Sequence, residues 1–174
     1  MMENKVFKRL IATKWGIFKL VASEKGILSV SFPVKQSARS TSPHQRPVRI
    51  PKKVDEIINQ ASANLKKYII SKGKRLYSEI DLSGLTKMQR QMLKILERIP
   101  FGETRSYEWL AGKCGIPKGA RAIGQLLGSN PLPVFFPCHR IVRKSGELGG
   151  FSGGVHWKKK LLEHERPLKA GSRS

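Results

Sequence analysis

Apolar residues recur along this chain in two rhythms, and the alternation between them predicts its elements. Trp15 to Ala22 and Ile27 to Phe32 are partly alternating apolar runs around Glu24-Lys25-Gly26, which reads as a hairpin over 15–32. Val54, Ile57, Ile58, Ala61, Leu65, Tyr68 and Ile69 then return every three or four positions, the period of an amphipathic helix over 52–71. The stretch 76–85 looks extended and turns at Ser83-Gly84. Thr86 followed by Gln89 is a capping box, and Met88, Met92, Ile95, Leu96 and Ile99 line one face of the helix it opens. Pro100 stops that helix. Ser106 is a good N-cap for a short helix over 107–114. A turn over 115–119 leads to a second helix at about 119–128, with Ala120, Ile123, Leu126 and Leu127 facing inward. A last helix is expected over 158–165.

Between these elements, 33–51 carries Pro33, Pro43, Pro47 and Pro51 among Ser and Arg residues, and reads as a basic loop. Gly146, Gly149, Gly150, Gly153 and Gly154 make 145–154 a segment that bends freely or is closely approached. Strands come first and helices follow, which predicts an α+β protein. The expected domains are an α/β unit over 1–82, a mostly helical unit over 86–168, and a disordered tail over 169–174. Two short helices joined by a Gly/Pro turn suggest a helix-turn-helix, though many helical hairpins bind nothing. Lys118 and Arg121 stand near the start of the second helix, the end that meets DNA in such motifs.

Charge sharpens this picture. The chain has 174 residues and a formal net charge of +22. Residues 1–85 and 86–174 each hold 17 basic and 6 acidic residues, so the excess is spread rather than confined to a tail. A spread excess suits a broad phosphate-facing surface, while a solvated lysine coat that aids solubility is the bland alternative. No apolar run approaches the roughly 20 residues of a membrane span, and Lys5, Lys8, Arg9 and Lys14 interrupt any signal-peptide pattern. Two cysteines, Cys114 and Cys138, make neither a disulfide framework nor a zinc-ligand spacing. The expected home is a reducing, intracellular compartment: cytoplasmic and nucleoid-associated, or nuclear in a eukaryote.

The chemistry centres on Phe136-Pro137-Cys138-His139-Arg140. A thiol beside an imidazole and a guanidinium is expected to favour the nucleophilic thiolate. His139 could take the Cys138 proton directly or through a water. On an extended strand the two side chains would point opposite ways, so a direct bond is not assured. A third group should orient the imidazole, and Glu165 is the candidate; the competing reading is a solvated helix charge. Cys114, at the end of the first short helix, reads as a buried structural thiol.

These residues carry a resemblance. Pro137-Cys138-His139-Arg140, with Asn130-Pro131 before it and Phe151-Ser152-Gly153-Gly154 after it, resembles the O6-alkylguanine-DNA alkyltransferase family. The likeness extends through Gly102-Glu103-Thr104-Arg105-Ser106-Tyr107, Ala120-Arg121-Ala122-Ile123-Gly124 and Leu161-Leu162-Glu163-His164-Glu165, covering about 86–166. It implies a ribonuclease-H-like N-terminal domain and a C-terminal domain with a winged-helix-like helix-turn-helix. It implies direct, single-turnover transfer of an alkyl group from O6-alkylguanine in duplex DNA, and less readily from O4-alkylthymine, to Cys138. His139 would be the base acting through a water, Glu165 would orient it, Asn130 would brace the turn, and Tyr107 would donate a proton to the departing guanine. The base must leave the stack, and Arg121 would fill the gap. Ser106, Lys118, Ala120, Ala122 and Gly124 would lie along the DNA. Leu127, Pro133, Ile141, Phe151, Ser152 and Trp157 would wall the guanine pocket. Many relatives have Tyr where this chain has Phe151. No cofactor or metal is implied, and the expected state is a monomer.

Three other readings compete. A binding protein of the same fold would recognise alkylguanine without reacting, but such relatives lack the cysteine. A cysteine hydrolase needs an oxyanion hole and leaves the basic helix-turn-helix unexplained. A transcriptional regulator leaves the residues around Cys138 unexplained.

Overall fold

The computed structural model describes residues 5–34, 49–71, 76 and 78–166. The loop at 33–51 falls largely, and the tail at 169–174 wholly, outside them. The chain divides into two compact units, with the change at Gly84/Leu85.

The first unit is a three-stranded antiparallel sheet in the order β1 (Phe7–Thr13), β2 (Gly16–Ser23), β3 (Gly26–Ser31). The hairpin is present, and β1 adds a strand that the sequence pattern did not reveal. Its lysine and arginine disguise it: Phe7 and Ile11 point into the core while Lys8 and Leu10 lie on the other face. α1 (Lys52–Ile70) covers the inner face with Val54, Ile58, Ala61 and Leu65, all fully buried, against Phe18, Leu20 and Ile27. Arg9 reaches from the sheet to Asp55 and Asn59 on α1. After the helix the chain returns alongside β3, where Ile27 and Ile80 form a parallel bridge. Gly26 permits that return. Its φ is +148°, and a Cβ there would lie 2.7 Å from the backbone of Glu79. Asp81 then accepts from Ser23 and caps the Ser83 turn.

The second unit is mostly helical. α2 (Lys87–Leu96) opens on the predicted capping box, with Thr86 and Gln89 bonded reciprocally. Its regular turns end at Leu96, and Ile99 closes a looser turn before Pro100. α3 (Tyr107–Lys113) is capped by Ser106, whose Oγ accepts from the Trp109 amide. α4 (Ala120–Gly128) follows a turn and packs on α3, completing the helix-turn-helix. Two short strands, β4 (Arg105–Ser106) and β5 (Ile141–Val142), pair in parallel and tie the start of α3 to the segment after Cys138. α5 (Val155–Glu165) begins three residues earlier than its polar sequence suggests. Its buried face is Trp157, Lys158, Leu161 and Glu165, so two of its four inward side chains carry charge.

Candidate active site

Cys138 stands at the head of a 3-10 turn, Cys138–Arg140, and not on an extended strand. The turn buries three consecutive polar or reactive side chains, which a strand could not do on one face. The approach to it is tightly folded. Val134 has φ +75°, an unusual value for a β-branched residue, and the Phe136 amide donates back to the Leu132 carbonyl at 2.9 Å. Asn130 braces this bend from within. Its Nδ2 donates to the Phe136 carbonyl at 3.1 Å and its Oδ1 accepts from the Leu132 amide at 3.0 Å.

Behind the cysteine lies a closed polar network. His139 is wholly buried, and its Nε2 lies 2.8 Å from Oε1 of Glu165. Arg140 grips the same carboxylate through Nε at 2.7 Å and a terminal nitrogen at 2.8 Å, and its other nitrogen donates to the Ile99 carbonyl. The Gly102 amide adds a further bond to Glu165 Oε2. Burial alone would raise the Glu165 pKa, but hydrogen bonds from His139 and Arg140 outweigh it and hold the carboxyl far below its usual range. Burial pulls His139 down, with Glu165 opposing, so the imidazole is neutral. An ionised Glu165 fixes the proton on Nε2. Nδ1 therefore carries the lone pair, and it has no hydrogen-bond partner among the described residues.

The sequence-based expectation for the thiol needs correction. Cationic neighbours do not leave Cys138 as a resting thiolate. Burial pushes its pKa up to about 11, and Asn130, the Lys158 charge and nearby amides offset only part of that. Arg140 contributes little because its guanidinium is already committed to Glu165 and Ile99.

Cys138 opens onto a cavity of about 880 Å³. α3 contributes Tyr107 to its wall. α4 contributes Ala120, Arg121, Gly124 and Leu127, and the glycine-rich segment contributes Phe151 and Ser152. Tyr107 Oη lies 3.5 Å from the Gly150 carbonyl, and burial raises the phenol's pKa. Arg121 is exposed, with Lys118 and Ala122 exposed beside it on the same helical hairpin. Pro133, Ile141 and Trp157 do not line the cavity; each is buried, Ile141 in β5 and Trp157 on the inner face of α5. Cys114 is buried at the end of α3, and burial raises its pKa.

Three participants escaped the sequence reading. Arg140 was seen as a neighbour of the thiol, not as a clamp on Glu165. Gly149 lets Tyr107 sit close: a Cβ there would lie 2.6 Å from the phenol oxygen. Lys158 is 1% exposed, inside a Trp157-Lys158-Lys159-Lys160 run that looks solvated. The signal for Lys158 was its spacing from Leu161 and Glu165, which puts all three on one helix face. Among the described residues, no group of three or more His, Cys, Asp or Glu side chains could hold a metal ion, and no helix is long and apolar enough to cross a membrane.

Residues 87–167 match the family described as 6-O-methylguanine DNA methyltransferase, DNA binding domain. The methylated-DNA–protein-cysteine methyltransferase of Mycobacterium tuberculosis is 47% identical over 88 residues, 51% of this chain and 53% of that protein. The human protein of the same name is 49% identical over 77 residues, 44% of this chain and 37% of its own. The chain thus spans about half the length, or less, of these relatives at the level of sequence. Structure extends the likeness. The OGT of M. tuberculosis, solved in complex with DNA, superposes with a TM-score of 0.74 and 32% identity, covering 91% of this chain and 92% of that one. With a two-unit fold of this kind matched over nearly the full length of that protein at 32% identity, the chain belongs to the methylated-DNA–protein-cysteine methyltransferase family.

Proposed function

We propose that this protein repairs DNA by moving an alkyl group, chiefly methyl, from O6-alkylguanine in a duplex to its own Cys138. It acts once per molecule, as a monomer in the cytoplasm at the nucleoid, and O4-alkylthymine is a poorer substrate. One observation carries the reading: a buried Cys138 faces a cavity while, behind it, His139 holds Nε2 on Glu165 and keeps Nδ1 as a free base.

The exposed α4 face, with Arg121 at the cavity rim, supports binding to the duplex and filling of the gap left by the flipped base. Ser106, Lys118, Ala120, Ala122 and Gly124 lie on the same helical hairpin, where small side chains let the backbone come close. In the cavity, Leu127, Phe151 and Ser152 hold the guanine. His139 Nδ1 takes the thiol proton through an intervening water. The thiolate then attacks the alkyl carbon: the S–C bond forms, the C–O6 bond breaks, and the bonding pair passes to guanine. Tyr107 supplies the proton that guanine needs and later regains one from solvent, while His139 returns its own. Net, the thiol proton is exchanged for the alkyl group, and the thioether is final because nothing here cleaves a C–S bond.

The test is intact-protein mass after incubation with an oligonucleotide carrying O6-methylguanine, beside Cys138→Ala. One methylene mass per protein, confined to Cys138, is expected. Tight DNA binding with no mass gain would assign the protein to recognition alone.

A further inference from the structure

Of the six large apolar side chains exposed among the described residues, three fall at one place: Val6, Leu10 and Ile17. They lie on the face of the sheet turned away from α1. Phe7, Arg9 and Ile11 face α1, so Lys8 and Leu10 face outward, and Val6, just before β1, continues their row. The pairs Lys8↔Val21, Leu10↔Lys19 and Ala12↔Ile17 carry that face across to β2. Apolar and basic side chains thus alternate along β1 and across the ladder. Lys8 and Lys19 are exposed, and neither has a carboxylate partner among the described residues. The three strands hold no acidic residue.

The two edges of the sheet differ. β3 is sealed by the returning chain: the Ile27 amide donates to the Glu79 carbonyl at 2.8 Å, and the Asp81 amide donates to the Ile27 carbonyl at 3.0 Å. β1 stands at the other end of the sheet, and among the described residues it pairs with β2 alone. Half the amides and carbonyls along it point away from β2. An open edge is a template for an added strand, and proteins commonly blunt it with proline, a bulge or charge. β1 has no proline, and its register with β2 is unbroken. Its one device is charge: Lys8 and Lys19 repel a basic strand and leave the edge open to an acidic one.

We propose that β1 and the outward face beside it dock an extended acidic segment of a partner protein, which adds as a further strand along the β1 edge. Backbone groups of β1 hold the segment. Its outward side chains follow the row they meet: apolar beside Val6, acidic beside Lys8, apolar beside Leu10. Lys19, diagonal to Lys8, adds to the field at the acid. A second copy is disfavoured because each chain carries +22. A nucleic acid would meet the lysines but press its phosphates onto Leu10 and Ile17. The site lies within the first unit and does not use Cys138, so it is independent of the alkyl-transfer reading.

The test titrates the full chain with a blocked peptide as long as β1. The peptide carries valine, glutamate and valine at alternate positions, threonine between them and aspartate at each end. Binding should slow hydrogen exchange of the β1 amides. Lys8→Glu with Lys19→Glu should weaken binding by about 10-fold or more. Lys66→Glu with Lys67→Glu, the same charge change on the exposed side of α1, should weaken it by less than about 3-fold. Leu10→Thr keeps a strand former, should also weaken binding, and carries the test if the glutamate variants do not fold. Replacing the peptide's threonines by proline keeps its charge, removes the strand and should abolish binding. Cys138→Ala should bind as wild type does, which separates this outcome from that of alkyl transfer. No binding, equal weakening by the two charge variants, binding of the proline peptide, or unchanged exchange in β1 would overturn the proposal. A dimer in sedimentation that Leu10→Thr dissolves would give the face to a second copy. Loss of duplex affinity in Lys8→Glu with Lys19→Glu, beyond that of the α1 variant, would give it to DNA. Either result overturns the acidic partner.

Discussion

Nε2 of His139 and Oε1 of Glu165 lie 2.8 Å apart, with side-chain exposures of 0% and 1%. The contact joins the reactive turn to the last turn of α5, so one carboxylate sets the histidine tautomer and ties down that helix. Glu165→Gln should keep a hydrogen-bond acceptor yet lose the charge that favours imidazolium and neutralises Arg140. Transfer should slow by about 10²-fold, the usual scale for general-base catalysis. Glu165→Ala should cost about 3–5 kcal/mol of stability, since it leaves Arg140 buried and unpaired. Single-turnover rates and urea denaturation check the two effects separately.

The same pair sets a pH dependence. The folded Glu165 pKa lies below its ordinary value of 4.5, so its contribution to stability is present above about that pH and lost as pH falls. His139 is also lowered, from an ordinary 6.5. An unfolded histidine binds a proton below 6.5 while the folded one resists, which again removes stability as pH falls. Urea midpoints should therefore drop from pH 7 to pH 4, and drop further below pH 4 as Glu165 begins to take up its proton. The rate has its own signature. With His139 held neutral, transfer should persist below pH 6.5; a fall centred at 6.5 or above would contradict a buried neutral base.

Gly149 and Gly112 offer a matched contrast. Gly149 has φ +66°, and an added Cβ would strike Tyr107 Oη, so Gly149→Ala must shift the phenol or the loop. Transfer should slow by about 10-fold or more if the Tyr107 donor is displaced. Gly112 lies exposed within α3, with nothing within 4 Å of a built Cβ. Gly112→Ala should raise stability by about 0.5–1 kcal/mol through the entropy of the unfolded chain, with transfer unchanged. Melting curves and single-turnover rates read both outcomes.

Which parts of this arrangement were legible depends on how far apart the partners lie. The Thr86–Gln89 box and the Ser106 cap act over three residues, so the local pattern was sufficient to find them. α1 was legible because its apolar stripe is unbroken. β1 was not, because a strand with one solvent face tolerates Lys8 and Arg9, which break up its apolar run. The link from His139 to Glu165 spans 26 residues and depends on the path of the intervening chain, so the sequence offered Glu165 as a candidate beside the reading of a solvated helix charge. Arg140 and Lys158 were hidden for a further reason. Charged residues are almost never fully buried unless paired, so a sequence rule sends both to the surface. Here one is paired with a distant carboxylate, and the other is retained beside a phenol.

Arg121 makes a prediction that separates base extrusion from chemistry. It sits exposed on the first turn of α4 and lines the rim of the cavity that holds Cys138. If its side chain fills the gap in the stack, Arg121→Ala should slow transfer from duplex DNA by about 10-fold or more, because extruding a base costs a few kcal/mol. The free alkylated base needs no extrusion, so its reaction with Arg121→Ala should match wild type. Equal losses on both substrates would place Arg121 in the chemistry rather than in extrusion.

Phe151 bears on which alkyl groups are accepted. It lies on the cavity wall in the segment where many relatives have tyrosine, and the phenyl ring keeps the apolar surface while removing a hydroxyl. A methyl group makes little contact with that wall, so its transfer should be insensitive to the exchange. A benzyl group extends across the wall and is held by apolar contact and ring packing, each worth about 0.5–1.5 kcal/mol. Adding a hydroxyl brings a polar group that must find a partner or stay hydrated, which shifts how a large adduct settles. Phe151→Tyr should therefore change the ratio of benzyl to methyl transfer rates by several-fold, within the roughly tenfold that 1.4 kcal/mol allows. Both rates are measurable on oligonucleotides of one sequence. An identical ratio in the two proteins would mean that the wall at this position does not select the adduct.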